Sequence, residues 1–139
     1  MERLAIAAVL AVVALAAAFA ARRRRGWDSA AGTMPQSTVP AAVDLALLGI
    51  DAGPVIVVFT EETCRTCADA VTVVSGSVGV GVPVVEVPFA SERGMHRDHG
   101  IDTVPTTVVA DAEGQVVDGW IGRVDVSGLT AALARVVGR

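Results

Sequence analysis

The 139-residue chain contains no lysine and no tyrosine, and only two cysteines. Without lysine, every basic side chain is an arginine, so Schiff-base chemistry and the amine of a phosphate-binding loop are both excluded. Positive charge is scarce past residue 25. There, six arginines face fourteen Asp and Glu, a net charge of −8 against −4 for the whole chain. Such a domain repels nucleic acid and anionic membrane surfaces, and the sequence predicts no nucleic-acid partner. The length allows one small domain with a single hydrophobic core once the first twenty-five residues are set apart.

Those first residues contain the longest apolar run. LAIAAVLAVVALAAAFAA, Leu4 to Ala21, has no charge, proline or glycine, and at roughly 1.5 Å per helical residue it comes close to the roughly 30 Å of a bilayer's hydrocarbon core. It reads as a membrane-spanning helix. A cleaved signal peptide is the competing reading, because Ala18-Phe19-Ala20 resembles a cleavage motif, but four arginines directly downstream oppose export. A helix buried inside the soluble domain is weaker still, since a small domain seldom encloses a helix that is apolar all round. Arg22 to Arg25 then set the orientation by the positive-inside rule, with the following domain at the cytosolic face. The same run needs no nuclear-localisation or nucleic-acid explanation. The predicted organisation is an anchor with its basic flank at 1–25, a Gly/Ser/Thr/Pro-containing linker at 26–40, and one domain at 41–139.

Within the domain, AVDLALLGI closes at Gly49 and is either a short helix or an edge strand, with its Ala and Leu favouring helix. PVIVVFT, Pro54 to Thr60, is a continuous β-branched run, the mark of a strand buried on both faces of a sheet. The stretch after it, CRTCADAVTVVSGSVG, predicts a helix with Cys67, Val71 and Val74 on one face. Val82 to Pro88 reads as a second buried strand, and a polar segment with Arg93, His96, Arg97 and His99 as a short helix ending at Gly100. PTTVVADAEGQVVDGWIG reads as a hairpin turning at Asp111 to Gly114, with Trp120 in the core. The last segment places Leu129, Ala132, Leu133, Val136 and Val137 on one face of a terminal helix. This order predicts an α/β domain with a parallel βαβ half and an antiparallel hairpin half.

The two cysteines, Cys64 and Cys67, follow directly on the first strand. If Cys64 opens the helix, its sulfur lies near unpaired backbone N–H groups and the positive end of the helix dipole, which favour a thiolate. Arg65 adds to this effect, whereas Glu61 and Glu62 oppose it. Cys67, three residues on, lies on the same helix face and can attack a mixed disulfide formed at Cys64.

Four features together resemble the thioredoxin family: VIVVFT leading into Cys64-Arg65-Thr66-Cys67, the VPTT segment from Val104 to Thr107, the DAEG hairpin turn, and the terminal amphipathic helix. The resemblance runs from about Val43 to Arg139. It implies a thioredoxin-like fold, a central mixed sheet flanked by helices, here behind an N-terminal transmembrane helix. It also implies a thiol:disulfide oxidoreductase with no cofactor beyond the dithiol, acting on protein disulfides at or near the membrane and drawing on an electron donor. By the same resemblance Cys64 is the exposed nucleophile and Cys67 the resolving thiol. Pro105 is the family's cis-proline, the Val104 backbone is available to an extended peptide, and Thr63, Arg65 and Thr66 frame the pair. The residues alone also fit a trans, strand-initiating Pro105.

The sequence departs from the family in three places. Thr63 stands where a Trp is common, Arg65-Thr66 replaces Gly-Pro, and Val58 occupies the position of a buried Asp that assists proton transfer at the second cysteine. Glu61 or Glu62 could substitute, or be solvated loop acids. Three rival readings remain. Cys64 and Cys67 with His96 and His99 supply enough ligands for zinc, although the spacing fits no compact finger and the histidines also read as exposed residues of a polar helix. A second rival is a membrane-tethered interaction module whose cysteine pair is idle. With the anchor reversed, the same enzyme would be extracytoplasmic.

Overall fold

The structure is a computed structural model that describes residues 38–77 and 81–138. The apolar run Leu4 to Ala21, the arginines after it and most of the 26–40 stretch lie outside those residues. Among the described residues no helix is long and apolar enough to cross a membrane.

The chain order is β1 (Val55–Thr60), α1 (Arg65–Ser75), β2 (Val84–Pro88), α2 (Arg93–Asp98), β3 (Thr106–Ala110), β4 (Val116–Ile121) and α3 (Val126–Val137). The strands form one sheet in the order β2-β1-β3-β4. β1 pairs in parallel with β2, while β1 with β3 and β3 with β4 are antiparallel. The sheet is therefore mixed, as expected. All six residues of β1 are buried, which is why the run shows no polar alternation: both of its faces are covered.

Alternation along β1 divides the core in two. Ile56 and Val58 pack with Ala70 and Val74 of α1, and with Leu129, Ala132, Leu133 and Val136 of α3. Val55, Val57 and Phe59 point to the other face, among Val43, Val87, Val108 and Ala110. A fully buried side chain of this size contributes about 1.5–3 kcal/mol, so β1 anchors both layers. Val39, near the end of the stretch read as linker, packs against the second layer.

Several expectations need correction. In the AVDLALLGI segment residues 45–49 form turns, neither a helix nor a strand. Asp44 Oδ1 accepts from the N–H groups of Ala46 and Leu47 at 3.0 and 3.2 Å, as a helix N-cap does, but Gly49, with φ +70°, ends the segment after a single turn. β2 starts at Val84, two residues later than expected, and lies at the sheet edge with only Val87 fully buried. Pro83 has no N–H for the ladder, although its carbonyl accepts from the Ile56 N–H at 2.9 Å.

In the hairpin, the turn forms where the sequence places it. Asp111 Oδ1 accepts from the N–H groups of Glu113 and Gln115 at 3.1 and 2.9 Å, and Gly114 has φ +79°. Trp120 is partly buried and packs against the core beside α3. In α3, Asp125 caps the N-terminus through the Gly128 N–H at 2.7 Å. The buried stripe is Leu129, Ala132, Leu133 and Val136, while Val137, at the edge of that face, is 52% exposed.

The histidines are not exposed residues of a polar helix. His96 is buried, with Nε2 2.8 Å from the Val87 carbonyl, and its ring meets those of Phe59 and Phe89 edge-on, centroids 5.3 Å apart in each case. His99 accepts from the Asp44 N–H at Nε2 (3.1 Å), so Nδ1 carries the hydrogen given to the Met95 carbonyl (2.8 Å).

Candidate active site

β1 leaves the sheet at Thr60, and after three intervening residues the chain turns into α1 with Cys64 as its N-cap. The extended backbone of Cys64 (φ −86°, ψ 104°) aims its side chain back over the first turn. There Cys64 Sγ accepts from the Cys67 N–H at 3.1 Å, the position an N-cap oxygen ordinarily takes. α1 has no acidic residue in its first turn, so its unpaired N–H groups form an environment that favours negative charge on the sulfur. Cys64 and Cys67 are joined by a disulfide, with Cα atoms 5.2 Å apart.

The two sulfurs differ in access. Cys64 is partly exposed, while Cys67 is buried on the face of α1 that covers the sheet. Thr63, Arg65 and Thr66 are exposed around Cys64. The Thr63 hydroxyl donates to the Glu61 carboxylate at 2.9 Å, and Glu62 is exposed on the same loop.

The Val104–Pro105 peptide is cis. Phe59 is the register partner of Thr106, so Pro105 comes beside Thr60, at the end of β1 that leads to the cysteines. The Pro105 carbonyl accepts from the Gly122 N–H at 2.7 Å, and the Thr103 carbonyl accepts from the Thr106 hydroxyl at 2.7 Å. The segment is thus pinned from both sides. Val104 is partly buried against the Phe59 layer.

A cleft of about 230 Å³ opens at the pair, lined by Thr60, Glu61, Glu62, Cys64, Cys67, Ala68, Glu86 and Pro88. Sequence reasoning missed four of these residues, Thr60, Ala68, Glu86 and Pro88, of which Thr60 and Glu86 are polar and bonded to each other. The Thr60 hydroxyl, on a residue 2% exposed, donates to Glu86 Oε1 at 2.8 Å. A single charge inside the apolar run Val82 to Pro88 was the available signal. Val58, in the place of the family's Asp, is fully buried between Glu86 and Thr107 in the register.

The histidines do not join the site. His96 and His99 pack against Phe59, on the sheet face opposite the one α1 covers, and bond to backbone through ring nitrogens as described above. Among the described residues no three potential metal ligands come together. The four-ligand zinc arrangement is therefore not assembled in this fold.

The mixed sheet, the helix begun by a C-x-x-C pair at the end of its central strand and the cis-proline beside it define a thioredoxin-like α/β domain. No family model and no curated protein matches the sequence, but solved structures do match the fold. Trichomonas vaginalis thioredoxin superposes with a TM-score of 0.56 at 20% identity, over 66% of this chain and 86% of that one. Fasciola hepatica thioredoxin gives 0.52 at 19%, over 60% and 80%. A malarial protein gives 0.52 at 14%, over 60% and 96%.

Proposed function

We propose that the chain is a membrane-anchored thiol:disulfide oxidoreductase that reduces or exchanges protein disulfides through Cys64 and Cys67. The observation that carries this reading is the asymmetry of the pair: one sulfur partly exposed at a helix N-terminus, its partner buried one helical turn on. An exposed sulfur can reach a macromolecular disulfide, and a buried neighbour can then displace the substrate from it. Among the described residues the Val104 backbone makes no hydrogen bond, which supports a role in pairing with an extended substrate.

The Leu4 to Ala21 run supports a single-pass anchor, and Arg22 to Arg25 support a domain at the cytosolic face. Tethering restricts substrates to proteins at or near the membrane and raises their effective concentration there. Protease treatment of intact and permeabilised cells tests the topology: the domain should be cut only after permeabilisation. Digestion in intact cells would place it outside.

The catalytic reading is tested by Cys67→Ser in the full chain. Mixed disulfides with other proteins should accumulate on Cys64 and vanish when Cys64 is also replaced. If none accumulate, the pair is idle and the domain is an interaction module.

A further inference from the structure

Cys67 poses a chemical problem that the proposed function leaves open. Its sulfur attacks only as a thiolate, yet the residue is 2% exposed and Val58, in the place of the family's Asp, offers no acid. Resting on the oxidoreductase reading, we infer that Glu86 is the proton acceptor for Cys67 in the step that resolves the mixed disulfide.

The placement of Glu86 follows from strand alternation. Ile56 and Val58 face α1, so Thr60 faces it too. Glu86 alternates with Val84, which packs against the same layer, and is the register partner of Val58. Cys67 lies on the buried face of α1 over this end of the sheet, and it shares the 230 Å³ cleft with Glu86. The buried Thr60 hydroxyl fixes the carboxylate through Oε1. Oε2 makes no hydrogen bond among the described residues and is left to take a proton. Glu86 and Glu62 are both exposed, but Glu86 stands on the sheet and is held by the buried Thr60 hydroxyl, whereas Glu62 lies on the loop, and Glu61 binds the Thr63 hydroxyl with both oxygens.

The exchange balances as follows. Cys64 thiolate attacks one sulfur of the substrate disulfide, and the other substrate sulfur leaves as a thiolate. The Cys67 thiol gives its proton to Glu86 as its sulfur attacks Cys64 Sγ. The bond from Cys64 to the substrate breaks, and the second substrate sulfur leaves as a thiolate. Both substrate thiolates take protons from water, and Glu86 returns its proton to solvent. Two electrons pass from the cysteine pair, which ends as the disulfide, to the substrate.

A proton acceptor and a bystander charge predict opposite signs. A nearby negative charge disfavours a thiolate, so if Glu86 acted only as a charge, Glu86→Gln would speed resolution. If it accepts the proton, the same change slows it, and general bases of this kind contribute upwards of about a hundredfold.

The probe is 5,5′-dithiobis(2-nitrobenzoate) mixed with the reduced full chain in stopped flow. The only two cysteines are Cys64 and Cys67, so the first thionitrobenzoate reports attack by Cys64. The second, in a phase independent of reagent concentration, reports resolution by Cys67. Glu86→Gln should slow the second phase at least tenfold at pH 7 and move its rise with pH to higher pH. Thr60→Val, which keeps the carboxylate and removes its anchor, should slow the same phase by a smaller factor and serves if the first variant does not fold. An equal or faster second phase in Glu86→Gln overturns the inference, as does the same slowing in Glu113→Gln, a charge control in the distant hairpin turn. A first phase missing from the unaltered chain removes the redox reading itself, a different result from a changed second phase.

Discussion

Replacing Thr107 by Val should stabilise the domain. Thr107 is fully buried in β3, register partner of Val58 in β1 and Trp120 in β4. Its Oγ1 is buried with no hydrogen-bond partner among the described residues. A buried hydroxyl left unpaired costs about 1–3 kcal/mol, and Val has nearly the same shape, so the substitution opens no cavity. Taking the lower part of that range, the gain is about 1 kcal/mol. For a domain of this size that corresponds to a rise in Tm of roughly 4–8 °C. Urea unfolding of the oxidised full chain, followed by circular dichroism, should show a higher midpoint with an unchanged slope. A loss of about 0.5 kcal/mol or more would refute the reasoning, because it would mean that the hydroxyl has a partner worth more than its desolvation.

Two further perturbations test the frame around the site. The Asp125 carboxyl is held below the usual carboxylate range by the Ser127 hydroxyl first and the Gly128 N–H second, against a small opposing effect of burial. A lowered folded value means that its contribution is present above about pH 4 and lost as the pH falls through the folded value. Asp125→Asn should therefore flatten the acid limb of the urea midpoint against pH, and parallel curves for the two proteins would contradict this. Gly114 has φ +79°, and a Cβ there would run into the Val43 carbonyl oxygen, next to the Val43 N–H to Gly114 carbonyl bond. Gly114→Ala should cost at least about 1–2 kcal/mol for the left-handed backbone alone, and a measured loss under about 0.5 kcal/mol would show that the turn relaxes.

How much of this was legible in the sequence depended on whether local pattern or tertiary context decides an element. β1, the opening of α1 at Cys64, the Asp111 to Gly114 turn and the inner stripe of α3 are all set by short-range signals, and each appears where those signals place it. The AVDLALLGI segment was misread in extent: its composition favours helix and Asp44 caps a first turn, but the left-handed Gly49 ends it after that turn. His96 was misread because its polarity suggested solvent, whereas the Val87 carbonyl and two phenylalanine rings enclose it. Glu86 escaped notice for a different reason. Its importance lies in the parallel register of β2 with β1 and in the bond from Thr60, twenty-six residues away. No spacing rule connects those positions.

The central claim is that Cys64 and Cys67 cycle between dithiol and disulfide. Its most direct test is a redox titration of the full chain against glutathione or dithiothreitol, with the thiols counted at each poise. The account predicts one reversible two-electron transition, two thiols per chain, at a potential between roughly −270 and −120 mV, the span of thiol:disulfide oxidoreductases. A pair that stays oxidised below about −300 mV, as structural disulfides do, or that never re-forms its disulfide, would contradict it.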